Sequence, residues 1–277
     1  MGSINKRLNL QFQGFLATPP LWKDSSPINI PQFLTHPLPV PQEIENDLLV
    51  PDNLVLGKRV ENYFAYYVEK YTSHTLLAQN VVVTHGKTTI GEVDFLLLNK
   101  ENNEYTHVEL VYKFYLYDPL IKGELNKWIG PNRNDTLKKK LHRLKAHQFP
   151  LLHREESRTA VQDYDLPLER IFQKVCFKAN LFVPPDLLNY YFPEINNDCI
   201  RGFWIRMEDF IERDYGNFGF HSPAKHDWPI DPKYFSEWIS FTEVKELLLS
   251  LLESKKSPLV WMKKSETEFL RFFIVWW

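Results

Sequence analysis

Three strand-like runs between residues 75 and 117, joined by two short polar turns, set the strongest limit on how this 277-residue chain can fold. The first, Thr75 to Thr84, holds Val81, Val82 and Val83, and β-branched side chains favour extended backbone. His85-Gly86-Lys87 makes a tight turn into Thr88 to Leu98, and Asn99 to Tyr105 makes a second, asparagine-bearing turn. In the third run, Thr106 to Tyr117, Val108, Leu110, Tyr112 and Phe114 fall on one face. His107, Glu109, Val111, Lys113 and Tyr115 fall on the other. Turns this short join neighbouring strands antiparallel. Before them, Val60, Phe64, Tyr67, Val68 and Tyr71 recur at helical spacing, predicting a helix from about Lys58 to Tyr71. After them, Asp135 is placed to cap a helix running to about Phe149, with Leu137, Leu141 and Leu144 as its apolar stripe. Val175 to Val183 alternates again and reads as a fourth strand.

The flanks read differently. Eight prolines lie between Pro19 and Pro51, and the first fifty residues read as irregular. They form an extended arm that wraps the core and buries Phe15, Leu16, Leu21, Trp22 and Phe33. Beyond the fourth strand, Gly202 to Arg206 reads as a short strand, Met207 to Tyr215 as a helix and Tyr215 to Trp238 as a loop. Ser240 and Glu243 make a capping box for a leucine-rich helix, and Pro258 to Lys264 pairs with Glu268 to Trp277 as a terminal hairpin. The expected fold is α/β. A proline-rich arm (1–55) precedes a helix, three-strand, helix, strand core (56–185). A C-terminal α+β extension (186–277) packs on that core.

Composition removes several functions. With 10 glycines, and no GxxxxGK[ST] or GxGxxG pattern, no phosphate-binding glycine loop is present. HExxH and GxSxG are absent too. The two cysteines, Cys176 and Cys199, have 22 residues between them, which excludes a CxxC zinc or redox motif and suits a reducing compartment. No signal peptide opens the chain and no apolar run approaches the ~20 residues that cross a bilayer, so a cytoplasmic protein without membrane contact is expected. A net charge of −2 argues against a polyanion-coating protein. Charge is nonetheless uneven: Arg133 to Gln148 holds six basic residues and one acid. That face suits a phosphate backbone, gripped by Arg133, Lys139, Lys140 and Arg143, and equally suits solvent. His142 and His147, five apart on a helix, are expected on different faces.

Asp94 and Glu109 lie inside otherwise apolar strands, where a charge is costly unless paired or metal-bound. On adjacent antiparallel strands they can face each other, with Lys113 on the Glu109 face. Two such carboxylates make an oxygen site for Mg²⁺ or Mn²⁺, and a lysine beside them can activate an attacking water or offset developing charge. That is the chemistry of phosphodiester hydrolysis. The same pattern also suits a charged strand face with a cross-strand Glu–Lys pair open to solvent. Glu92 shares the Asp94 face and is expected in a surface salt bridge.

Together, Gly91-Glu-Val-Asp-Phe-Leu-Leu, Glu109-Leu-Val-Tyr-Lys-Phe-Tyr-Leu, Trp128-Ile-Gly-Pro-Asn-Arg-Asn-Asp135, Lys178-Ala-Asn-Leu-Phe182 and Arg201-Gly-Phe203 resemble the DUF1853 family. That family in turn resembles the PD-(D/E)XK, restriction-endonuclease-like nucleases. The resemblance implies Asp94 and Glu109 as metal ligands, Lys113 as the catalytic lysine and Glu61 as an additional acid on the first helix. The pattern departs at one point: the lysine usually stands two residues after the acid, where this chain has Val111. Lys113 keeps the same face but lies roughly 6–7 Å further along the strand. The implied function is a metal-dependent nucleic-acid phosphodiesterase. The alternative is a nuclease-like module that binds nucleic acid or protein without cutting.

Overall fold

The computed structural model describes residues 2–23, 27–38, 48–164 and 166–277, and it is mixed α/β. The chain begins with α1 (Gly2–Ala17) and α2 (Leu56–Tyr71), followed by β1 (His74–His85), β2 (Thr88–Asn99) and β3 (Glu104–Tyr117). A short α3 (Glu124–Lys127) leads into β4 (Trp128–Ile129) and the basic helix α4 (Leu137–Arg143). Then come α5 (Phe149–Leu151), α6 (Glu155–Val161) and β5 (Phe172–Val183). The remainder holds β6 (Ile200–Arg206), α7 (Glu212–Tyr215), β7 (Gly219–His221), α8 (Phe241–Glu253), β8 (Leu259–Lys263) and β9 (Phe269–Val275).

Among the described residues nine strands form one sheet, ordered β1-β2-β3-β5-β6-β9-β8-β7, with β4 beside β3. β1, β2 and β3 pair antiparallel, as their short turns require. β3, β5, β6 and β9 pair in parallel, so the chain must cross over between them and cover the sheet as it does so. One face packs Phe95, Leu97, Val108 and Phe114 against α1 and α2 through Phe15, Val60 and Phe64. The other packs Val111, Tyr115, Val175 and Phe177 against Leu137, Leu141 and Leu144 of the α4 region. Leu110 and Tyr112 side with the first face and Val111 and Tyr115 with the second, as the alternation requires. Among the described residues no helix is long and apolar enough to cross a membrane.

Several expectations need correction. Residues 2–17 are helical, not irregular. Leu8, Phe12, Phe15 and Leu16 are buried, and that packing outweighs the signal of the proline run that follows. Of the proline segment, Pro19 to Leu21 and Pro31 to Phe33 lie beside β5, and residues 24–26 and 39–47 of the expected arm lie outside the described residues. β6 pairs with β5 only from Leu181 to Val183, leaving an open edge below. Residues 19–23 and 27–33 lie along it: Val175 N–H donates to the Pro31 carbonyl (2.9 Å) and Ala179 N–H to that of Pro19 (3.3 Å). Proline lacks a donor but keeps its acceptor, so it suits an outer position. Thr136, not Asp135, caps α4, taking the Lys139 N–H on its hydroxyl. The helix is not continuous to Phe149 either, because a π turn spans Leu144–Gln148. Met207 to Tyr215 is a 3-10 turn plus the short α7, since Ile211 between them is extended. The 215–238 loop contains β7, which adds to the β8–β9 hairpin.

Candidate active site at the parting of two strands

The β2–β3 ladder runs from Asn99↔Glu104 to Phe95↔Val108 and stops. One step beyond, the register sets Asp94 opposite Glu109. Asp94 takes over from the ladder: its Oδ2 accepts the Leu110 N–H at 2.9 Å. Each carboxyl acts on the other's titration. Glu109 is fully buried. Its Oε1 lies 2.9 Å from His107 Nε2, and its Oε2 accepts from Gln148 Nε2. His107 is fully buried as well, and its Nδ1 lies 3.3 Å from Gln173 Nε2, which also donates to the Phe149 carbonyl. These partners suit the neutral ring with its proton on Nε2. Burial holds His107 down to about 4, so it serves Glu109 as a neutral donor rather than as a cation.

The acid pair is short of positive charge. Burial pushes Asp94 up to about 7, and the charge of Glu109 adds to the rise. Burial pushes Glu109 up to about 7 as well, against Lys140 and Arg143. Lys140 is the basic group that acts most strongly on both carboxylates, and burial lowers its own pKa while they oppose the fall. Its ammonium donates to Gln148 Oε1 at 2.8 Å, so Gln148 bridges Lys140 and Glu109. The π turn makes this possible. Eight residues of regular α-helix would set Lys140 and Gln148 roughly 80° apart around the axis, and the wider turn takes up that difference. It also brings the His142 and His147 rings to 6.1 Å, correcting the expectation that they point apart.

Lys113 points elsewhere. It bonds Asp135 Oδ2 at 2.8 Å and lines a cleft of about 360 Å³ with Glu61, Asp135, Lys140, Lys225 and Trp228. The floor of that cleft is β3 from Leu110 to Tyr115, and one wall is the Gly130–Asp135 loop. Asp135 is therefore occupied by Lys113 instead of capping α4. The loop is tied to the C-terminal region: Asn132 Oδ1 accepts the Ser257 N–H (2.8 Å), and the Pro131 carbonyl accepts from Trp277 Nε1 (3.0 Å). Glu61 is bonded to Lys58 at 2.8 Å, and Lys58 also reaches Glu92 at 3.0 Å in the expected salt bridge. Glu61 reaches Asp94 only through its charge. Among the described residues no group of three or more His, Cys, Asp or Glu side chains is arranged to hold a metal ion.

The four expected phosphate contacts are divided. Lys139 and Arg143 are exposed on α4 and Lys140 turns inward to the acids. Arg133 pairs with the buried Asp118 at 3.1 Å and lies 4.5 Å over the Trp277 ring, so it is a structural residue. His107, Gln148 and Gln173 escaped the sequence reading. Only His107 left a signal, by sharing the Glu109 face.

A family model described as a domain of unknown function (DUF1853) matches residues 11–275, nearly the whole chain and all of this site. The chain belongs to the DUF1853 family. No curated protein and no solved structure matches it. In this DUF1853 chain both cysteines are free and buried.

Proposed function

We propose that this DUF1853 protein is a metal-dependent nucleic-acid phosphodiesterase built on a restriction-endonuclease-like core. The observation that carries the reading is the acid pair: Asp94 and Glu109 meet where two strands part, buried and raised well above the usual carboxylate range. Buried acids are ordinarily matched by cations, and an unmatched pair is a functional-site signal. Their donor set suits Mg²⁺ or Mn²⁺, which takes one or two carboxylates and keeps waters for the rest. Asp94 and Glu109 would hold the ion, and each of their oxygens that accepts one hydrogen bond retains a further lone pair. Such an ion supplies Lewis-acid stabilisation of charge building on phosphorus.

The chain's own groups do the rest. His107 and Gln148 fix the Glu109 carboxylate. Lys140, rather than Lys113, faces the acids, and its lowered pKa brings it toward the range where a lysine exchanges protons with an attacking water. Lys113 rises from the cleft floor, where its charge can meet a phosphate oxygen. Lys139 and Arg143 extend the same positive face along a phosphate backbone.

A second reading, a nucleic-acid-binding module that does not cut, draws on a different observation. Both Glu109 oxygens already accept hydrogen bonds, and Lys113 is engaged by Asp135. Calorimetric titration with Mg²⁺ and Mn²⁺, paired with cleavage assays on single- and double-stranded DNA and RNA, separates the two. Wild type should bind metal and cut, and Asp94→Ala should do neither. Lys140→Met should lose about 100-fold or more in turnover with metal affinity within a few-fold, and Lys113→Met should lose less. Wild-type protein that binds metal and nucleic acid yet cuts nothing establishes the second reading.

A further inference from the structure

Away from the cleft, where β6 and β9 begin, two hollows of about 590 and 320 Å³ adjoin. Leu188, Ile200, Arg201 and Gly202 line both, so they form one groove. Arg271 walls the smaller part, and Tyr190 and Tyr191 wall the larger. The tyrosines are 55% and 70% exposed, unusual for rings in a chain that buries most of its aromatics. Tyr190 is steadied from below, its ring 4.8 Å from that of the buried Phe192.

The arginines are held in place by the backbone. β6 and β9 run in parallel with Phe203 opposite Phe272, which sets Gly202 beside Arg271. A Cβ at Gly202 would stand 1.9 Å from the Arg271 carbonyl oxygen, so glycine lets the strands close here. Among the described residues no carboxylate pairs with Arg201. Arg271 donates to the Ile230 carbonyl at 2.9 Å, and Asp231, the acid lining the groove, lies 3.4 Å from Lys233. Burial, then the charge of Arg201, pulls Arg271 down to about 10. Two guanidiniums that line one groove repel each other, the charge of Asp231 offsets only part of the effect on Arg271, and an anion bound beside them relieves the rest.

We propose that this groove binds single-stranded nucleic acid, with Arg201 and Arg271 on a backbone phosphate and Tyr190 and Tyr191 stacked on bases. A phosphate alone would need only the arginines, and an acidic protein segment would leave the tyrosine faces without flat partners. A base joined to a phosphate uses both. The groove is of the size that takes a nucleotide-scale group. The stretch from Lys225 to Pro232 walls both openings, Lys225 and Trp228 at the cleft and Asp231 and Pro232 at the groove. The inference goes beyond phosphodiester cutting and stands whether or not the cleft cuts.

The test is fluorescence anisotropy with labelled 12-residue oligo-dT and oligo-U in EDTA, where no metal-dependent cleavage intervenes. Tyr191→Ala should weaken binding at least about fivefold with the salt dependence unchanged. Arg201→Gln should weaken it and flatten the slope of log affinity against log salt by about 0.7, the loss of one phosphate contact. Circular dichroism and melting of both variants should match wild type, because neither side chain is in the core. Wild-type binding that both variants retain in full overturns the proposal, as does a wild type that binds an acidic phosphopeptide but neither oligonucleotide.

Discussion

Asp227 and the Asp94–Glu109 pair are both buried acids, and they differ in what surrounds them. Asp227 is 3% exposed. Arg7 on α1 meets both of its oxygens, and Gln11, one helical turn on, donates to Oδ1 at 2.7 Å. Gln11 in turn accepts from Arg59 and from the Tyr63 hydroxyl on α2, both at 2.7 Å. Burial alone would raise Asp227, but the bonds from Arg7 and Gln11 and the charges of His226 and Arg7 lower it overall. Every partner is spoken for, and the network locks two helices together. At Asp94 and Glu109 the donors are neutral ones, a backbone N–H, His107 and Gln148, while the nearest cation is bound to Gln148 rather than to either acid. One centre is balanced to hold the fold; the other is left ready for something positive.

The contrast can be broken hardest at Asp227. Asp227→Ala strips Arg7 and Gln11 of their acceptor and should cost about 2–4 kcal/mol in a guanidinium unfolding midpoint. The lower half of that range is expected because the Arg7 side chain is 59% exposed and can be rehydrated. A loss below about 0.5 kcal/mol would mean the network adds nothing to stability.

The acid pair should respond with the opposite sign. Its folded-state pKa values lie above the unfolded ones, so its contribution is most favourable below the ordinary carboxylate range and is lost as pH rises toward about 7. Asn at position 94 keeps an oxygen for the Leu110 N–H and supplies a permanent donor toward Glu109. Asp94→Asn in metal-free protein should therefore gain on the order of 1–2 kcal/mol at pH 8 and almost nothing near pH 4.5. For Asp227, lowered in the fold, the favourable contribution is present above the ordinary carboxylate pKa and is lost as pH falls. Unfolding midpoints at the two pH values read both, and a loss of stability for Asp94→Asn at pH 8 would remove the uncompensated-charge argument.

The smallest effect sharpens the comparison. Thr136→Ala removes the α4 cap and should lower the melting stability by about 1 kcal/mol at either pH, since no titrating group takes part. A pH-dependent loss would show that α4 and its Lys140 are coupled to the acid pair more tightly than hydrogen bonding through Gln148 implies.

Much of this was legible in the residues. Alternation and short turns carried β1, β2, β3 and β5 to within a few residues, because a strand with one buried face must repeat every second position. The acids stood out as charges among apolar neighbours. What escaped depended on three-dimensional partners. Leu8, Phe12, Phe15 and Leu16 have helical spacing, yet the prolines after them drew the reading toward an extended arm. Asp135 and Thr136 are both good caps in adjacent positions, and only the pull of Lys113 on Asp135 decides between them. Gln148 could not be found by a 3.6-residue period, because a π turn lies between it and Lys140.

The seating of residues 19–23 and 27–33 along β5 bears on how the protein is made. Those residues, with α1 before them, leave the ribosome ahead of β5, and their backbone partners Val175, Phe177 and Ala179 are synthesised some 140 or more residues later. Lys178 then anchors the end of α1 by donating to the Leu16 and Thr18 carbonyls at 3.0 and 2.5 Å. Until β5 emerges, Leu21 and Trp22 lack the Val175 and Phe177 face they cover, and a nascent chain in that interval is a natural client for a chaperone. A stretch made before β5 is thus seated only after it, and β5 cannot close its edge without that stretch.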